Sequence, residues 1–240
     1  MSRGGDGGCA APAGAGAVCS EGPRSGWDGE EGSITAQEVR LVIRDDAIVE
    51  EINALWLPVY PHLVGHLLAV SGIEGGSFLD LGPFAGGMAL SILQRSTAFS
   101  ATVMDESQRV LRWVEKKAAE AGHASRLTTC RSSFTPIPAA AAAFDLVGVR
   151  GAFFFLTPSL LREIRRVLRP GGFAWVGGGY GPTTPEEVIA PIARRSKTLN
   201  EAVGKRRITP EDAHDMVVAA GLEDCARVAT DGGLWLEVRA

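Results

Sequence analysis

The chain has 240 residues, of which 45% are hydrophobic, and a formal net charge of −4 at pH 7. This length suits one good-sized domain with additions, and the mild charge gives no general case for nucleic-acid or membrane binding. No run approaches about 18 uninterrupted apolar residues, and the N-terminus lacks the apolar segment of a secretory signal, so we expect neither a transmembrane helix nor secretion.

The first 32 residues are rich in glycine and alanine and show no hydrophobic periodicity. Such a segment buries too little apolar area to offset its ordering entropy, so we predict a disordered tail over 1–32 and a single domain over 33–240. Cys9 and Cys19 lie in this tail with a spacing that matches no zinc template, and we predict no metal site. Cys130 and Cys225 lie in apolar runs, which favours a reduced, cytoplasmic protein.

A helical pattern begins near Asp45 and is interrupted at Pro58 and Pro61, which predicts two helices or one broken helix. We therefore expect an N-terminal helical cap over 33–75, followed by a core over 76–240 in which strands and helices alternate. The predicted strands are 77–82, 99–105, 126–132, 144–155 and 173–181, and the predicted helices among them are 85–96, 107–122 and 156–172.

Threonine followed by proline marks three predicted helix starts. Thr157 precedes one, and the sequences 184–187 and 209–212 (threonine, proline and two acidic residues) predict capping boxes with proline at the first helical position. The runs 223–230 and 233–240 predict an antiparallel hairpin joined at 231–233. The whole pattern predicts a doubly wound, mostly parallel seven-stranded α/β sheet with helices on both faces and a C-terminal antiparallel hairpin.

A glycine-rich turn follows the first predicted strand, in the stretch SFLDLGPFAGGMAL. A dinucleotide site requires G-x-G-x-x-G, in which backbone approaches a pyrophosphate, and Phe84 stands at the second glycine. The alternative pattern D-x-G-x-x-x-G is satisfied by Asp80, Gly82 and Gly86. It suits a cationic ligand without phosphate, and S-adenosylmethionine has an ammonium and a sulfonium group.

Such a ligand has no phosphate that must contact the backbone, so the site constrains only the backbone dihedral angles of residue 84. We therefore predict a negative φ at Phe84, with its ring turned toward Trp56 and Tyr60 as a wall of the cofactor pocket. A positive φ, or a ring between Asp80 and Asp105, would favour a non-catalytic binding module on the same fold.

The second predicted strand ends in VMDES, and its Asp105 follows the loop by about twenty residues. An acidic side chain at this point accepts hydrogen bonds from both hydroxyls of a ribose. The alternative is a strand-end residue that caps the next helix through Ser107.

Four stretches taken in order, FLDLGPFAGG, VMDES, FDLVGVRGAFFFL and LLREIRRVLRPGGFAWVGGG, resemble the class I S-adenosylmethionine-dependent methyltransferases. The closest similarity is to the small-molecule branch that includes quinone-ring methyltransferases, and it runs from about Leu55 to the C-terminus. It implies that the residues of the D-x-G-x-x-x-G pattern surround the methionine part and ribose of the cofactor. It also implies that Asp105 binds the ribose hydroxyls, with Glu106 and Ser107 beside the adenine.

The same resemblance places Ser133, or Ser132, where the family often has an acidic residue that binds the adenine amine. It places Arg150 at the end of the fourth strand, closing over the cofactor and facing the substrate. The alternative for Arg150 is a solvated loop cation.

Methyl transfer from a sulfonium is an in-line displacement, so a protein can act mainly by positioning and by excluding water. A base is needed only if the acceptor must lose a proton. The candidate catalytic residues are Tyr60, His62, Arg150 and Tyr180, with His66 on the same helix face as His62. A metal pair at the two histidines is less favoured than surface or capping roles. The run at 152–156 is expected to be strand core rather than an aromatic cage around a substrate.

A basic segment at 194–207 carries six cations against Glu201. A solvated helix face is the favoured interpretation, with an anionic small substrate or nucleic acid as alternatives. The sequence thus predicts methyl transfer to a small molecule by in-line displacement. It leaves the acceptor and the oligomeric state open.

Overall fold

The computed structural model describes residues 46–203 and 206–240. The predicted tail over 1–32, with Cys9 and Cys19, lies outside these residues. In chain order the elements are α1 (Asp46–Trp56), α2 (Tyr60–Ser71), β1 (Gly76–Leu81), α3 (Gly87–Arg95), β2 (Phe99–Asp105), α4 (Gln108–Glu120), β3 (Leu127–Arg131), β4 (Phe144–Arg150), α5 (Pro158–Val167), β5 (Leu168–Gly179), α6 (Glu186–Ala202), α7 (Pro210–Ala220), β6 (Ala226–Ala229) and β7 (Gly233–Arg239), with short 3₁₀ helices at Ala124–Arg126 and Ala152–Phe154.

The described strands form one seven-stranded sheet in the order β3-β2-β1-β4-β5-β7-β6. The first five strands are parallel, while β7 pairs antiparallel with both β5 and β6. The predicted architecture and its C-terminal hairpin are therefore confirmed. The strand order reverses between β1 and β4, and a crevice at the carboxyl ends of the strands is expected at such a switch point.

Helices cover both faces of the sheet. On one face α2, α3 and α4 pack side by side, and on the other α5 packs against α7. The predicted helical break is confirmed, because α1 ends at Trp56 and α2 begins at Tyr60. Helix α1 packs against α6 and α4. Its last residue, Trp56, lies with its ring centre 4.5 Å from the guanidinium carbon of Arg150, the residue that ends β4.

Two of the three predicted threonine caps are confirmed. The Thr157 hydroxyl accepts from the Leu160 amide at 3.2 Å, and Thr209 forms a reciprocal capping box with Asp212. The predicted box at Thr184 is wrong. Its hydroxyl donates to the carbonyl oxygen of Tyr180 and closes a turn there, so α6 begins after Pro185 without a side-chain cap.

The predicted strand over 144–155 is wrong in its second half. Strand β4 ends at Arg150, because Gly151 adopts a left-handed φ of 75° and turns the chain into a 3₁₀ helix. The phenylalanines of this helix, Phe153 and Phe154, are buried. They belong to the core as expected, but they pack from a turn at the carboxyl edge of the sheet.

Cys130 and Cys225 are partly buried, and neither takes part in a disulfide bond. Among the described helices, none alone is long and apolar enough to cross a membrane. Helices α1 and α2 reach that length only as a pair, which is bent by 65°.

Candidate functional site

Asp80 fastens the glycine-rich loop to the helix that follows it. Its side chain is 2% exposed, and one oxygen, Oδ2, accepts hydrogen bonds from the amides of Gly86 at 2.9 Å and Ala89 at 2.8 Å. These amides belong to the N-terminal end of α3, where unpaired N–H groups and the helix dipole favour a negative charge. Burial raises the pKa of Asp80 to about 6, against the opposing effect of these amides and of Arg150.

Asp105 has one satisfied and one unsatisfied carboxylate oxygen. Oδ1 accepts from the Ser107 amide at 2.8 Å, and the Ser107 hydroxyl accepts from the Val110 amide at 3.3 Å, which caps α4. Oδ2 is buried and has no hydrogen-bond partner among the described residues. The nearby backbone amide of Ala85 acts to lower the pKa of this carboxyl. Burial raises the pKa of Asp105 to about 7. The capping interpretation thus accounts for one oxygen, and the other is left as an acceptor for ligand hydroxyls.

Gly82 lies directly against that unsatisfied oxygen. The Gly82 amide donates to the carbonyl of Met104 at 2.8 Å, which draws the loop onto β2. A Cβ atom at Gly82 would overlap Asp105 Oδ2 and would lie 2.9 Å from the carboxyl carbon. The first glycine of the pattern is therefore required by the close approach of the loop to the Asp105 carboxylate.

Replacing Gly82 with alanine is expected to displace the Asp105 side chain. We expect a loss of about 1–3 kcal/mol in unfolding free energy from overpacking. We also expect at least about tenfold weaker binding of an adenosine ligand, as a lost hydrogen bond to a charged group implies. Urea denaturation and calorimetric titration with S-adenosylhomocysteine measure the two effects.

The matched control is Gly65→Ala inside α2, where the added Cβ meets only the end of the Arg95 side chain at 3.8 Å. Helix propensity predicts that this change leaves binding intact and keeps or raises stability. Unaltered S-adenosylhomocysteine affinity in Gly82→Ala would contradict the assignment of this loop.

Phe84 has a φ of 70°, so the predicted negative φ is wrong. The loop turns through the left-handed region here, at a cost on the order of 1 kcal/mol for a residue with a side chain. The ring offsets this cost by burial, since it is 2% exposed and lies edge-on to the Phe154 ring at 5.3 Å. It faces the Arg150 guanidinium at 5.1 Å. The Phe84 ring therefore packs against Arg150, which in turn packs against Trp56 of α1 and Tyr60 of α2.

Arg150 ends β4 and is 4% exposed, which excludes the interpretation as a solvated loop cation. Its guanidinium carbon lies 4.5 Å from the centre of the Trp56 ring and 5.5 Å from that of Tyr60. Together with Phe84, these rings surround the cation on several sides. Two of its nitrogens, Nε and Nη2, are buried and find no hydrogen-bond partner in the part of the chain that the structure describes.

Of the predicted adenine-side residues, Glu106, Ser132 and Ser133 line one cleft, and Ser107 is not among its walls. Its volume is about 360 Å³, and Glu106, Arg131, Ser132 and Ser133 form its walls. The Ser132 amide donates to the Asp105 carbonyl at 3.3 Å, so the cleft adjoins Asp105. Arg131 was missed by the sequence reasoning. Its position as the last residue of β3, at the carboxyl edge of the sheet, was the available signal.

The candidate catalytic residues lie in different surroundings. Tyr60 is buried, its hydroxyl donates to Asn53 Oδ1 at 3.5 Å, and burial raises its pKa. The Tyr180 ring stacks on Trp56 at 4.8 Å. At His62 the backbone carbonyl accepts from the Thr183 hydroxyl at 3.3 Å.

His66 lies in a separate cleft of about 410 Å³, in which its ring approaches Trp175 at 5.2 Å. Burial lowers the pKa of His66. Among the described residues, no group of three or more histidine, cysteine, aspartate or glutamate side chains is placed to hold a metal ion.

The basic segment at 194–207 divides into exposed and structural parts. Arg195 makes an exposed bidentate pair with Glu51 of α1, with N···O distances of 2.6 and 2.8 Å. Arg206 instead donates to the carbonyls of Phe153 at 3.1 Å and Leu156 at 3.0 Å, and burial lowers its pKa. Lys205 lies outside the described residues. A solvated helix face therefore fits Arg195 but not Arg206, which holds the 3₁₀ turn after β4.

Comparison with known proteins agrees with this geometry. Residues 78–172 match a family model described as a methyltransferase domain. The matched region begins in β1 and extends into β5, so it contains the loop, Asp105 and Arg150. No curated protein sequence matches the chain significantly.

Solved structures share the fold at low sequence identity. One is a protein of Methanococcus maripaludis assigned as an S-adenosyl-L-methionine-dependent methyltransferase, with a TM-score of 0.67, 22% identity, and coverage of 89% of this chain and 97% of that one. Another is the mitomycin 7-O-methyltransferase MmcR, with a TM-score of 0.61, 16% identity, and coverage of 84% and 60%. A third is the phosphoethanolamine N-methyltransferase 2 of Haemonchus contortus in complex with S-adenosylhomocysteine, with a TM-score of 0.50, 18% identity, and coverage of 70% and 38%.

Proposed function

We propose that this chain is a class I S-adenosylmethionine-dependent methyltransferase and that it methylates a small-molecule acceptor held between the glycine-rich loop and the helices α1 and α2. The match of residues 78–172 to a methyltransferase domain and the shared fold support this proposal. The observation that carries the proposal is the buried, unpartnered Oδ2 of Asp105 beside the bare backbone of Gly82. An acceptor oxygen in this position suits a ligand that brings hydroxyl groups to it.

The residues present fit the cofactor. Asp105 would bind the ribose hydroxyls, the cleft with Glu106 and Ser133 would take the adenine, and the loop that Asp80 holds would enclose the methionine part. When bound, S-adenosylmethionine supplies an activated methyl group on a sulfonium. Phe84 stands where the dinucleotide pattern has its second glycine, and a side chain at this position would keep the backbone away from a pyrophosphate. This supports S-adenosylmethionine over a dinucleotide.

The acceptor side is formed by aromatic side chains. Trp56 and Tyr60 come from α1 and α2, and Tyr180 stacks on Trp56 from the loop after β5. Aromatic side chains of this kind exclude water and orient a flat or compact molecule. Trp56 is 5% and Tyr60 1% exposed, so an acceptor would reach them only by displacing part of this packing. A small acceptor is also consistent with the names of the similar structures MmcR and the Haemonchus enzyme. The quinone-like branch of the family stays a prediction.

The chemistry proposed for this chain is positioning rather than proton abstraction. Of the described carboxylates, Asp80 and Asp105 are the two whose pKa burial brings to about 6 and about 7, and both are committed to the cofactor side. Tyr60 is an unfavourable base because burial raises its pKa further. Alignment of the acceptor and exclusion of water can together supply much of the barrier reduction.

The experiment is a methyl-transfer screen with S-adenosylmethionine labelled in its methyl group, incubated with a fractionated cell extract. The proposal expects label in the small-molecule fraction, and loss of that label with the Asp105→Asn variant. Label confined to protein or nucleic acid would overturn the small-molecule acceptor. Release of no S-adenosylhomocysteine from any fraction would support the non-catalytic alternative, which the positive φ of Phe84 favours.

A further inference from the structure

The guanidinium of Arg150 is prepared for an anion that the described chain does not supply. Its Nε and Nη2 atoms are buried without partners, and burying polar N–H groups of a cation without an acceptor is costly. An arrangement of this kind is typical of a binding site whose missing partner is a ligand.

The unpaired atoms form a specific edge of the side chain. Nε and Nη2 lie on the same side of the guanidinium, and this fork matches the two oxygens of a carboxylate. Among the described residues, three arginines use the same edge for a bidentate pair with a carboxylate, and one of them is Arg166 with Glu163. Arg109 binds Glu50 through Nε at 2.6 Å and Nη2 at 2.7 Å, and Arg195 binds Glu51 in the same manner.

The surroundings of Arg150 leave this edge free while fixing the rest of the group. The rings of Trp56, Tyr60 and Phe84 lie at 4.5, 5.5 and 5.1 Å from its carbon, and such contacts stabilise the cation. A hydrogen-bond interaction with Arg150 acts to lower the pKa of Tyr60, while Nε and Nη2 have no hydrogen-bond partner among the described residues. The described carboxylate that interacts with Arg150 electrostatically is Asp80, whose Oδ2 is already bonded to two amides.

We propose that the Nε–Nη2 edge of Arg150 binds a carboxylate carried by the methyl acceptor, so that the substrate class is a small carboxylic acid. The inference rests on the proposed function. The position of Arg150 favours the acceptor as the source, because two of its three aromatic neighbours, Trp56 and Tyr60, come from the acceptor side. The carboxylate of the cofactor itself is the other source, and the experiment separates the two.

Binding requires a covering ring to move, since both nitrogens are shielded from solvent. Trp56 is held by the bond from its indole nitrogen to Ser196 Oγ at 3.0 Å. Phe84 has an apolar side chain and a strained φ of 70°, so its displacement costs less. We assign Phe84 as the residue that uncovers Arg150 when the acid binds.

The test titrates benzoate and benzamide into the wild-type protein saturated with S-adenosylhomocysteine, followed by saturation-transfer NMR. The two probes share a shape, and only benzoate carries the carboxylate. We expect benzoate to bind at least about tenfold more tightly, as a charge-assisted bidentate pair implies. The preference for benzoate over benzamide should disappear in Arg150→Gln and become smaller in Arg150→Lys. It should persist in the control Arg195→Gln, because Arg195 makes an exposed ion pair with Glu51.

A second arm compares S-adenosylhomocysteine with methylthioadenosine, which lacks the amino-acid part. The proposal expects the ratio of their affinities to be unchanged in Arg150→Gln, and this binding also shows that the variant is folded. A selective loss of S-adenosylhomocysteine affinity, or benzoate that competes with it, would assign the edge to the cofactor and overturn the proposal. Equal affinity for benzoate and benzamide would also overturn it. Failure of the wild type to bind S-adenosylhomocysteine at all would instead count against the proposed function.

Discussion

Asparagine in place of Asp105 is expected to weaken S-adenosylhomocysteine binding by about tenfold to hundredfold, because a hydrogen bond to a charged group is worth about 1.5–3 kcal/mol. The unfolding free energy should not fall in this variant. The wild-type carboxylate is buried with an unpartnered oxygen, and removing its charge also removes a desolvation cost. Affinity and stability are thus expected to change in opposite directions, and calorimetry with urea denaturation measures both.

The pH dependence of the wild type follows from the same carboxylate. Its pKa is about 7 in the folded protein, against 3.8 as the ordinary value. Between these values the folded state holds a proton that the unfolded state has lost. The contribution of Asp105 to stability is therefore full below pH 3.8 and is lost as the pH rises through 7.

Ligand affinity should instead rise as the pH rises, since the charged carboxylate of Asp105 is the better acceptor for hydroxyls. We expect affinity to fall by up to about tenfold per pH unit below 7 in the wild type and to change little in Asp105→Asn. Comparison at pH 6.5 and 8 limits interference from Asp80, whose pKa is about 6. A wild-type affinity that does not depend on pH over this range would show that Asp105 does not meet the ligand.

Alanine in place of Asp80 is expected to cost about 2–4 kcal/mol of unfolding free energy and to abolish measurable S-adenosylhomocysteine binding. Two buried amides, those of Gly86 and Ala89, would lose their acceptor, and each unsatisfied group costs about 1–3 kcal/mol. The loop would then no longer be fixed to α3. Urea denaturation gives the first effect and calorimetry the second.

Asp80→Asn is the matched control because it retains an oxygen acceptor of the same shape. Since burial already raises the pKa of Asp80 to about 6, neutralising it removes part of a desolvation cost. We expect its stability to lie close to that of the wild type and its affinity to lie between those of the wild type and Asp80→Ala. If Asp80→Ala were as stable as Asp80→Asn, the hydrogen bonds from the Gly86 and Ala89 amides to the side chain of residue 80 would not be what holds the loop in place.

Local patterns predicted most of the framework. Apolar runs alternating with amphipathic helices placed the sheet correctly, and Thr209 and Asp212 formed the expected capping box, because these features depend on residues a few positions apart. The Asp80, Gly82 and Gly86 pattern likewise predicted a loop at the carboxyl edge of β1.

The wrong predictions were decided by contacts distant in sequence. Phe84 tolerates a positive φ because Phe154 and Arg150 pack against its ring. Thr184 is the exception, because its hydroxyl bonds to the carbonyl of Tyr180, only four residues earlier in the chain. Arg206 looked like part of a charged helix face, yet it bonds to carbonyls after β4, some fifty residues away.

The burial of Arg150 was also beyond sequence reasoning, since its three aromatic neighbours come from two segments far from it in the chain, 56–60 and the loop at Phe84. The tail over 1–32, the cytoplasmic location and the absence of membrane and nucleic-acid partners stay predictions.

The central claim is that the loop after β1 and Asp105 hold an S-adenosyl cofactor. Calorimetric titration of the protein at pH 8 with S-adenosylmethionine, S-adenosylhomocysteine and NADH tests it most directly. The account predicts sub-millimolar binding of the first two, weakened in Asp105→Asn, and no binding of NADH. Tight binding of NADH, or no binding of either S-adenosyl compound, would contradict it.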